Sequence, residues 1–314
     1  MADAALCVNG LTKSYGDVRA LAGLSFSVAP GEVYGLLGPN GAGKSTAISI
    51  IATLLQPDSG EVSVLGRDVR ANPAAAKTLL GVIPQDVAIY RELTGRENLA
   101  FFGTLYGLSG AKLKSRVDEV LSLVGLADVA GRRAATYSGG MKRRLNIGAS
   151  LIHEPPLVLL DEPTVGVDPQ SRNHIFELVL ELKSRGTSFL YTTHYMEEAE
   201  RLCGRVGIID GGRIIAEGTI AELIALGPED DRLEIELRGD GASAESLSLS
   251  LNEYSPSFEN HLLTMRVRGA SGKLPSIIET ISRFGAEIAS VRVIEPNLEG
   301  VFLHLTGKKL REGE

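Results

Sequence analysis

Cysteine is scarce in this chain, and the little there is excludes a metal cluster. Cys7 and Cys203 are the only two, far apart and without metal-ligand spacing. They read as reduced thiols, which points to a reducing compartment. Long apolar runs are missing too. None reaches the ~18 residues that a membrane-spanning helix needs, so a membrane served by this chain is served from its aqueous side. Met1 to Gly10 lack the basic-then-apolar order of a secretory signal. There is no basic excess either: the formal net charge is −7, which argues against nucleic acid as a main partner. Internal repeats, sustained heptads and closely spaced cysteine pairs are absent as well. What is present suffices for two domains, with 314 residues of which 44% are hydrophobic.

The periodicity divides the chain into a long alternating region and a short tail. Leu6 to Pro39 reads as strands, broken by the Pro30-Gly31 turn. Val33 to Leu37 runs into a glycine-rich loop, and Lys44 to Leu55 has helical character. Pro57 to Gly60 is a turn; Glu61 to Leu65 and Leu80 to Ile83 are short strands. From Arg91 to Ala135 the texture is helical, with Val117, Val120, Leu121 and Val124 three and four apart. Then come a strand at Leu157–Leu160, a helix at Arg172–Lys183, a strand at Phe189–Thr192 and a helix at Met196–Cys203. A hairpin follows at Val206–Ile215, around Gly211-Gly212. Alternating strands and helices imply a largely parallel sheet covered by helices. The acidic break Gly227–Asp231 is taken as the domain boundary. Beyond it, Leu233–Leu237, Leu262–Val267 and Ile288–Ile294 read as strands, and Leu274–Phe284 and Leu298–Leu305 as helices. The serine-rich stretch Gly241–Asn260 is expected to be irregular.

Chemistry concentrates at two strand ends. Gly38, Pro39, Asn40, Gly41, Ala42, Gly43, Lys44, Ser45 and Thr46 fit the P-loop pattern, after a strand and before a helix. Such glycines let backbone N–H groups curl around an anion, and the helix N-terminus adds its partial positive charge. Lys44 is placed to reach the β- and γ-phosphates, and the Ser45 hydroxyl to ligate Mg²⁺. The apolar strand Leu157–Leu160 ends in Asp161 and Glu162. Asp161 is expected to hold Mg²⁺, through water, because this ion keeps part of its hydration shell. Glu162 is expected to polarise the attacking water.

Tyr137-Ser138-Gly139-Gly140-Met141, just ahead of the paired acids, resembles the signature motif of the ATP-binding cassette (ABC) family. Ser138, Gly139 and Gly140 lie at a predicted helix start and form a second anion cradle. The resemblance covers residues 5 to 225 and implies several roles. Tyr15 matches the aromatic that stacks on adenine, and Gln85 the glutamine that touches Mg²⁺ and the attacking water. Asp168 matches the loop that crosses a dimer interface, and His194 the histidine that grips the γ-phosphate. Met141 departs from the usual glutamine and cannot donate a hydrogen bond; Val167 stands where leucine is more usual. The run Lys142-Arg143-Arg144 reads as a solvated helix face.

The resemblance implies an α/β fold: a P-loop NTPase (ABC ATPase) core with an antiparallel β subdomain and a helical subdomain at about 88–150, over residues 1–228. A small α+β accessory domain, 229–314, completes it. The segment Glu295–Gly307 is similar to the end of type-2 exporter ATPases of the daunorubicin-resistance and sodium-efflux kinds. Implied with it are ATP and Mg²⁺, a homodimer across ATP and a polytopic transmembrane permease. The place of work would be the cytoplasmic face of the cell membrane, with Asp86–Tyr106 docking the permease. An importer ATPase is the nearest alternative. A non-transport cassette protein would carry two cassettes in one chain, or a long coiled coil with metal-binding cysteines. A P-loop kinase or GTPase has no place for Ser138-Gly139-Gly140 and His194.

Overall fold

Three strands that are buried end to end set the centre of the structure: Val33–Leu37, Leu157–Asp161 and Ser188–Thr193. Strands of this kind belong inside a parallel sheet covered on both faces. The computed structural model describes residues 4–238 and 244–307. Its six-stranded sheet runs, in spatial order, Arg213–Thr219, Arg205–Asp210, Val33–Leu37, Ser188–Thr193, Leu157–Asp161 and Leu80–Ile83. Every neighbouring pair is parallel except the hairpin Arg205–Asp210 with Arg213–Thr219. Val33 pairs with Phe189 and Leu157 with Ser188, so the ends at Leu37, Asp161 and Thr193 open at one edge. Ligands of open α/β sheets bind at such carboxyl ends.

A second, antiparallel sheet carries Leu6–Tyr15, Val18–Val28, Ser59–Val64 and Arg67–Asp68. Its long hairpin turns at Gly16, which has φ 57, and this brings Tyr15 opposite Val18 at the tip. Leu6, Leu11, Leu21, Leu24 and Val28 pack with Leu36, Ile48, Ile51, Leu159 and Leu190 in one core. The helix Lys44–Ile51 lies in that core through Ala47, Ile48, Ile50 and Ile51. The helical region expected between Arg91 and Ala135 comprises Gly95–Leu105, Gly110–Leu123 and two short 3-10 turns, followed by Gly139–Leu151. Val117, Val120 and Leu121 are its buried face, as their spacing predicts. Gly95–Leu105 starts with a capping box between Thr94 and Glu97.

The chain clusters into two compact units that divide at Ile220/Ala221, ahead of the Gly227–Asp231 break. The segment before that break packs within the second unit, where Gly227 faces Val301. The second unit holds an antiparallel sheet ordered Ser257–Glu259, Leu262–Val267, Asp231–Arg238, Glu287–Ile294. Ile277 and Ile281 of the helix Ala270–Arg283 pack on Leu233, Ile235, Leu263 and Met265. One expectation is corrected here. Of Gly241–Asn260, residues 241–243 lie outside the described residues, but Ala244–Ser250 is a helix, Asn252–Tyr254 a 3-10 turn and Ser257–Glu259 a strand. Leu247 and Leu251, one helical turn apart, are buried and give the segment its core. Leu249 between them is 74% exposed, and that leucine on every second residue disguised the helical period.

Leu159 is fully buried between the parallel sheet and its coverings. Leu159→Ala is expected to lower unfolding stability by about 2–5 kcal/mol, the range for truncating a buried leucine. Urea unfolding checks it, and an unchanged midpoint contradicts the packing described.

Candidate active site

Between Leu37 and the helix Lys44–Ile51 the chain turns through two glycines with positive φ, 82° at Gly41 and 107° at Gly43. Only glycine fits at Gly38 and Gly43. A Cβ at Gly38 would stand 2.3 Å from the Ile209 carbonyl oxygen, and one at Gly43 2.5 Å from that of Ala20. The loop therefore lies flat against the antiparallel sheet and the hairpin. It turns Lys44 inward, where Nζ donates to the carbonyls of Gly38 (2.7 Å) and Pro39 (3.0 Å). Lys44 is 4% exposed, while Asn40, Gly41 and Ser45 face solvent, Pro39 and Thr46 are half-buried, and Ala42 is buried.

The two acids leave the adjacent strand end in different directions. Asp161 ends the strand, and its Oδ1 accepts from the Thr192 hydroxyl at 2.8 Å. Glu162 has φ 44, a left-handed conformation that costs a non-glycine residue about 1–3 kcal/mol. Thr192 holds it there: the Glu162 N–H donates to the Thr192 carbonyl at 3.2 Å and to its hydroxyl at 3.1 Å. Turned this way, Glu162 Oε1 lies 3.1 Å from Lys44 Nζ and 3.2 Å from His194 Nδ1. The histidine contact is an ion-pair distance without hydrogen-bond alignment. Burial pushes the Glu162 carboxyl up, the nearby Lys44 and then His194 pull it down, and the outcome lies below its usual value.

The structure thus brings Lys44, Glu162 and His194 together at the sheet's carboxyl edge, with Asp161 on the same strand end. Gln85 leaves the neighbouring strand Leu80–Ile83, whose Ile83 pairs with Leu160, and its side chain is exposed. Tyr15 stands at the hairpin tip, 50% exposed, with Lys13 Nζ 6.0 Å from its ring centre. The oxygen donors available here, from Ser45, Asp161 and Gln85, suit a hard cation. Among the described residues no group of three or more His, Cys, Asp or Glu could hold a metal alone. Such an ion must take part of its shell from phosphate and water, which is how Mg²⁺ is usually bound.

The second cradle lies apart from the first. Ser138 caps the helix Gly139–Leu151, its hydroxyl accepting from the Met141 N–H at 3.2 Å. Asp168 caps the helix Pro169–Ser184 by accepting from the Ser171 N–H at 2.9 Å. The two caps meet closely: a Cβ on Gly140 would stand 2.0 Å from Ser171 Oγ and 2.9 Å from Asp168 Oδ2. Ser138, Gly139 and Asp168 are exposed. Ser138, Met141, Arg144, Asp168 and His174 help to line an open depression of about 590 Å³, to which no P-loop residue contributes. A third feature is an aromatic cluster on the helical subdomain. Tyr90 and Phe101 meet edge to face at 4.8 Å, Phe102 is half-buried beside them, and Leu105 is 66% exposed.

Three residues near the acids escaped sequence reading. Thr192 is one. Glu198, 2% exposed, is the second: it accepts from the hydroxyls of Thr164 (2.6 Å), Thr193 (2.9 Å) and Tyr191 (3.0 Å). It so ties the chain after Glu162 to the residue before His194. Burial and then Glu198 push the Tyr191 phenol well up. The third corrects an expectation. Lys142-Arg143-Arg144 is not a solvated face, because Arg143 is 3% exposed and Arg144 reaches the carbonyls of Val124 (2.9 Å) and Gly125 (3.0 Å). On a helix packed between subdomains, three successive residues cannot all face water.

Residues 21–165 match the ABC transporter family model. The chain is 44% identical to the linearmycin resistance ATP-binding protein LnrL of Bacillus subtilis (strain 168), over 98% of this chain and 100% of that protein. It is 42% identical to the daunorubicin resistance ATP-binding protein DrrA3 of Streptomyces coeruleorubidus, over 100% and 99%. With the Nod factor export ATP-binding protein I of Rhizobium sp. (strain N33) the identity is 39%, over 99% and 100%. A solved ATP-binding subunit of an ABC transporter superposes with TM-score 0.65 at 34% identity, covering 70% of this chain and 92% of that one. A dimeric ATP-binding cassette in a post-hydrolysis state, bound to ADP and Pi, gives 0.63 at 25% identity, covering 68% and 98%. With this geometry and full-length relatives of this kind, the chain belongs to the ABC transporter family, as one of its ATP-binding, ATP-hydrolysing subunits.

Proposed function

We propose that two copies of this chain close on two ATP molecules and drive export through a separate polytopic permease. The observation that carries the shared site is the separation of the two cradles. The P-loop with Lys44 and Glu162 opens at the sheet edge, whereas the depression beside Ser138 and Asp168 contains no P-loop residue. One chain has both halves of a phosphate grip and does not bring them onto one ligand. Full-length similarity to relatives named for drug resistance and Nod factor export, second unit included, favours export over uptake.

In this reading the adenine stacks on Tyr15, and the phosphates lie on the N–H groups of Gly38 to Thr46. Lys44 turns from Glu162 to the γ-phosphate, a stronger anion, and frees the carboxylate. Glu162 then takes a proton from the attacking water, which Gln85 helps to orient, while His194 and the partner's Ser138 steady the γ-phosphate. Mg²⁺, held by Ser45, Gln85 and Asp161, would neutralise charge on the phosphate oxygens. Loss of the γ-phosphate removes the bridge between the chains, so the dimer opens and the permease is biased between two states. Tyr90, Phe101, Phe102 and Leu105 offer the permease an apolar docking face. No helix among the described residues is long and apolar enough to cross a membrane. The chain would work at the cytoplasmic face of the cell membrane through that contact, and its net charge of −7 assigns no role to nucleic acid.

Glu162→Gln is expected to slow ATP turnover at least about a hundredfold while ATP still drives dimer formation in size-exclusion chromatography. Turnover near the parent rate refutes the assignment of the base. Specific activity is expected to fall on dilution; a rate per chain independent of concentration contradicts the shared site. A pH dependence also follows. A carboxyl held below its usual 4.5 in the folded state contributes stability above that value and loses it as pH falls further. Acid unfolding of Glu162→Gln should therefore show a shallower loss below about pH 4.5 than the parent. Identical slopes would contradict the ion pair with Lys44.

A further inference from the structure

Arg143 has a full set of partners that the reading above leaves unused. Its guanidinium has five N–H bonds, and five backbone carbonyls face them. Nε donates to Pro163 at 2.7 Å; Nη1 to Pro84 at 2.6 Å and Gln85 at 3.0 Å; Nη2 to Asp161 at 3.3 Å and Glu162 at 3.4 Å. No carboxylate is among these partners, and burial pushes the guanidinium down to about 10, so it stays charged at neutral pH. The group is planar and its donors lie in a fixed fork. Carbonyls bound at its edges therefore keep a set spacing. One edge holds the chain at Gln85, the other the chain at Asp161, Glu162 and Pro163, and the stem belongs to the helix that Ser138 caps.

We infer that Arg143 is a positioning residue: it fixes Gln85 and Glu162 relative to each other and to the helix that carries the second phosphate cradle. This rests on the roles proposed above for Gln85 and Glu162. Among the described residues no other side chain hydrogen-bonds to both loops. The Glu162 N–H donates to Thr192, and Gln85 lies beyond the end of its strand. Without the fork, the left-handed turn at Glu162 and the loop at Gln85 lose their common reference. Among the described residues no hydrogen bond or ion pair joins Arg143 to Lys44 or the rest of the P-loop, so nucleotide binding is not expected to depend on it.

The test compares Arg143→Gln, Arg143→Lys and Lys142→Gln in the full chain. Lys142→Gln removes the same charge from the adjacent helix position. ATP turnover and the stoichiometry and affinity of a fluorescent ATP analogue are measured for each. The expected result for Arg143→Gln is a kcat about ten- to a hundredfold lower, the cost of catalytic groups misplaced by about an ångström. KM for ATP should stay within about twofold and analogue binding remain stoichiometric. Arg143→Lys keeps the charge but cannot span both loops, so it should not restore kcat. Lys142→Gln should behave as the parent. A kcat within about twofold of the parent in Arg143→Gln, full rescue by lysine, or an equal loss in Lys142→Gln would each overturn the inference. If both Arg143 variants lose analogue binding in proportion to activity, Arg143 is a folding residue and the inference falls. Failure of the base assignment is read separately, as fast turnover in Glu162→Gln.

Discussion

A single carboxylate oxygen bears on both halves of the catalytic edge. Glu162 Oε1 faces Lys44 and His194 together, with Lys44 4% and Glu162 7% exposed. Neither charge would be tolerated there alone, since breaking a buried pair costs about 3–5 kcal/mol. Among the described residues the lysine has two backbone carbonyls besides this carboxylate, so the carboxylate is the anion that balances its charge. In the proposed mechanism Glu162 would supply that anion until a phosphate does. In that mechanism the exchange would make the order of events a matter of electrostatics: the proposed base would be released by the arrival of the group it acts upon. An acid fixed elsewhere would be active without substrate, and a neutral residue would leave Lys44 unpaired.

That arrangement depends on where the sheet ends. Val33–Leu37, Leu157–Asp161 and Ser188–Thr193 are buried along their whole length, so the only polar chemistry they can present is at their tips. Parallel pairing puts those tips at one edge. Thr192 works at the boundary of the two regimes. It is fully buried, yet its hydroxyl and carbonyl fix both Asp161 and Glu162. The left-handed turn at Glu162 is thus held by a fully buried strand residue rather than by the loop that follows.

The parts of this that the sequence makes legible are those in which chemistry is local. The P-loop is contiguous, and an apolar strand ending in two acids announces which residues reach the edge. The helix Gly110–Leu123 follows from the three-and-four spacing of Val117, Val120 and Leu121. Contacts made over distance are not legible in that way. Arg143 sits among three basic residues, and its five carbonyl partners come from segments 18 to 59 residues away. A backbone carbonyl leaves no trace in residue identity, so nothing distinguished Arg143 from a solvated neighbour. Glu198 is hidden likewise among Glu197 and Glu200, and only its three hydroxyl donors mark it. At Leu247 and Leu251 the pattern was present but ambiguous. Leucine on every second residue, with serines between, suits a strand as well as a helix, and tertiary packing decided.

The same long-range contacts give the two cradles a physical connection. Ser138 begins a helix whose exposed end borders a depression that no P-loop residue lines, where a partner's nucleotide is proposed to lie. Two positions past Met141, on the buried side, Arg143 holds the chain at Gln85 and Glu162. Gly140 has no room for a Cβ beside Ser171 and Asp168, so this helix end cannot shift without moving the cap of the neighbouring helix. A contact at Ser138 is therefore one helix away from Glu162, the base proposed for the chain's own nucleotide. In the proposed dimer, the ligand of one site would be coupled to the acid of the other through packed backbone rather than through charge. That leaves the coupling insensitive to the loss of hydrogen bonding at Met141, because it depends on where the helix lies and not on what its exposed end can donate.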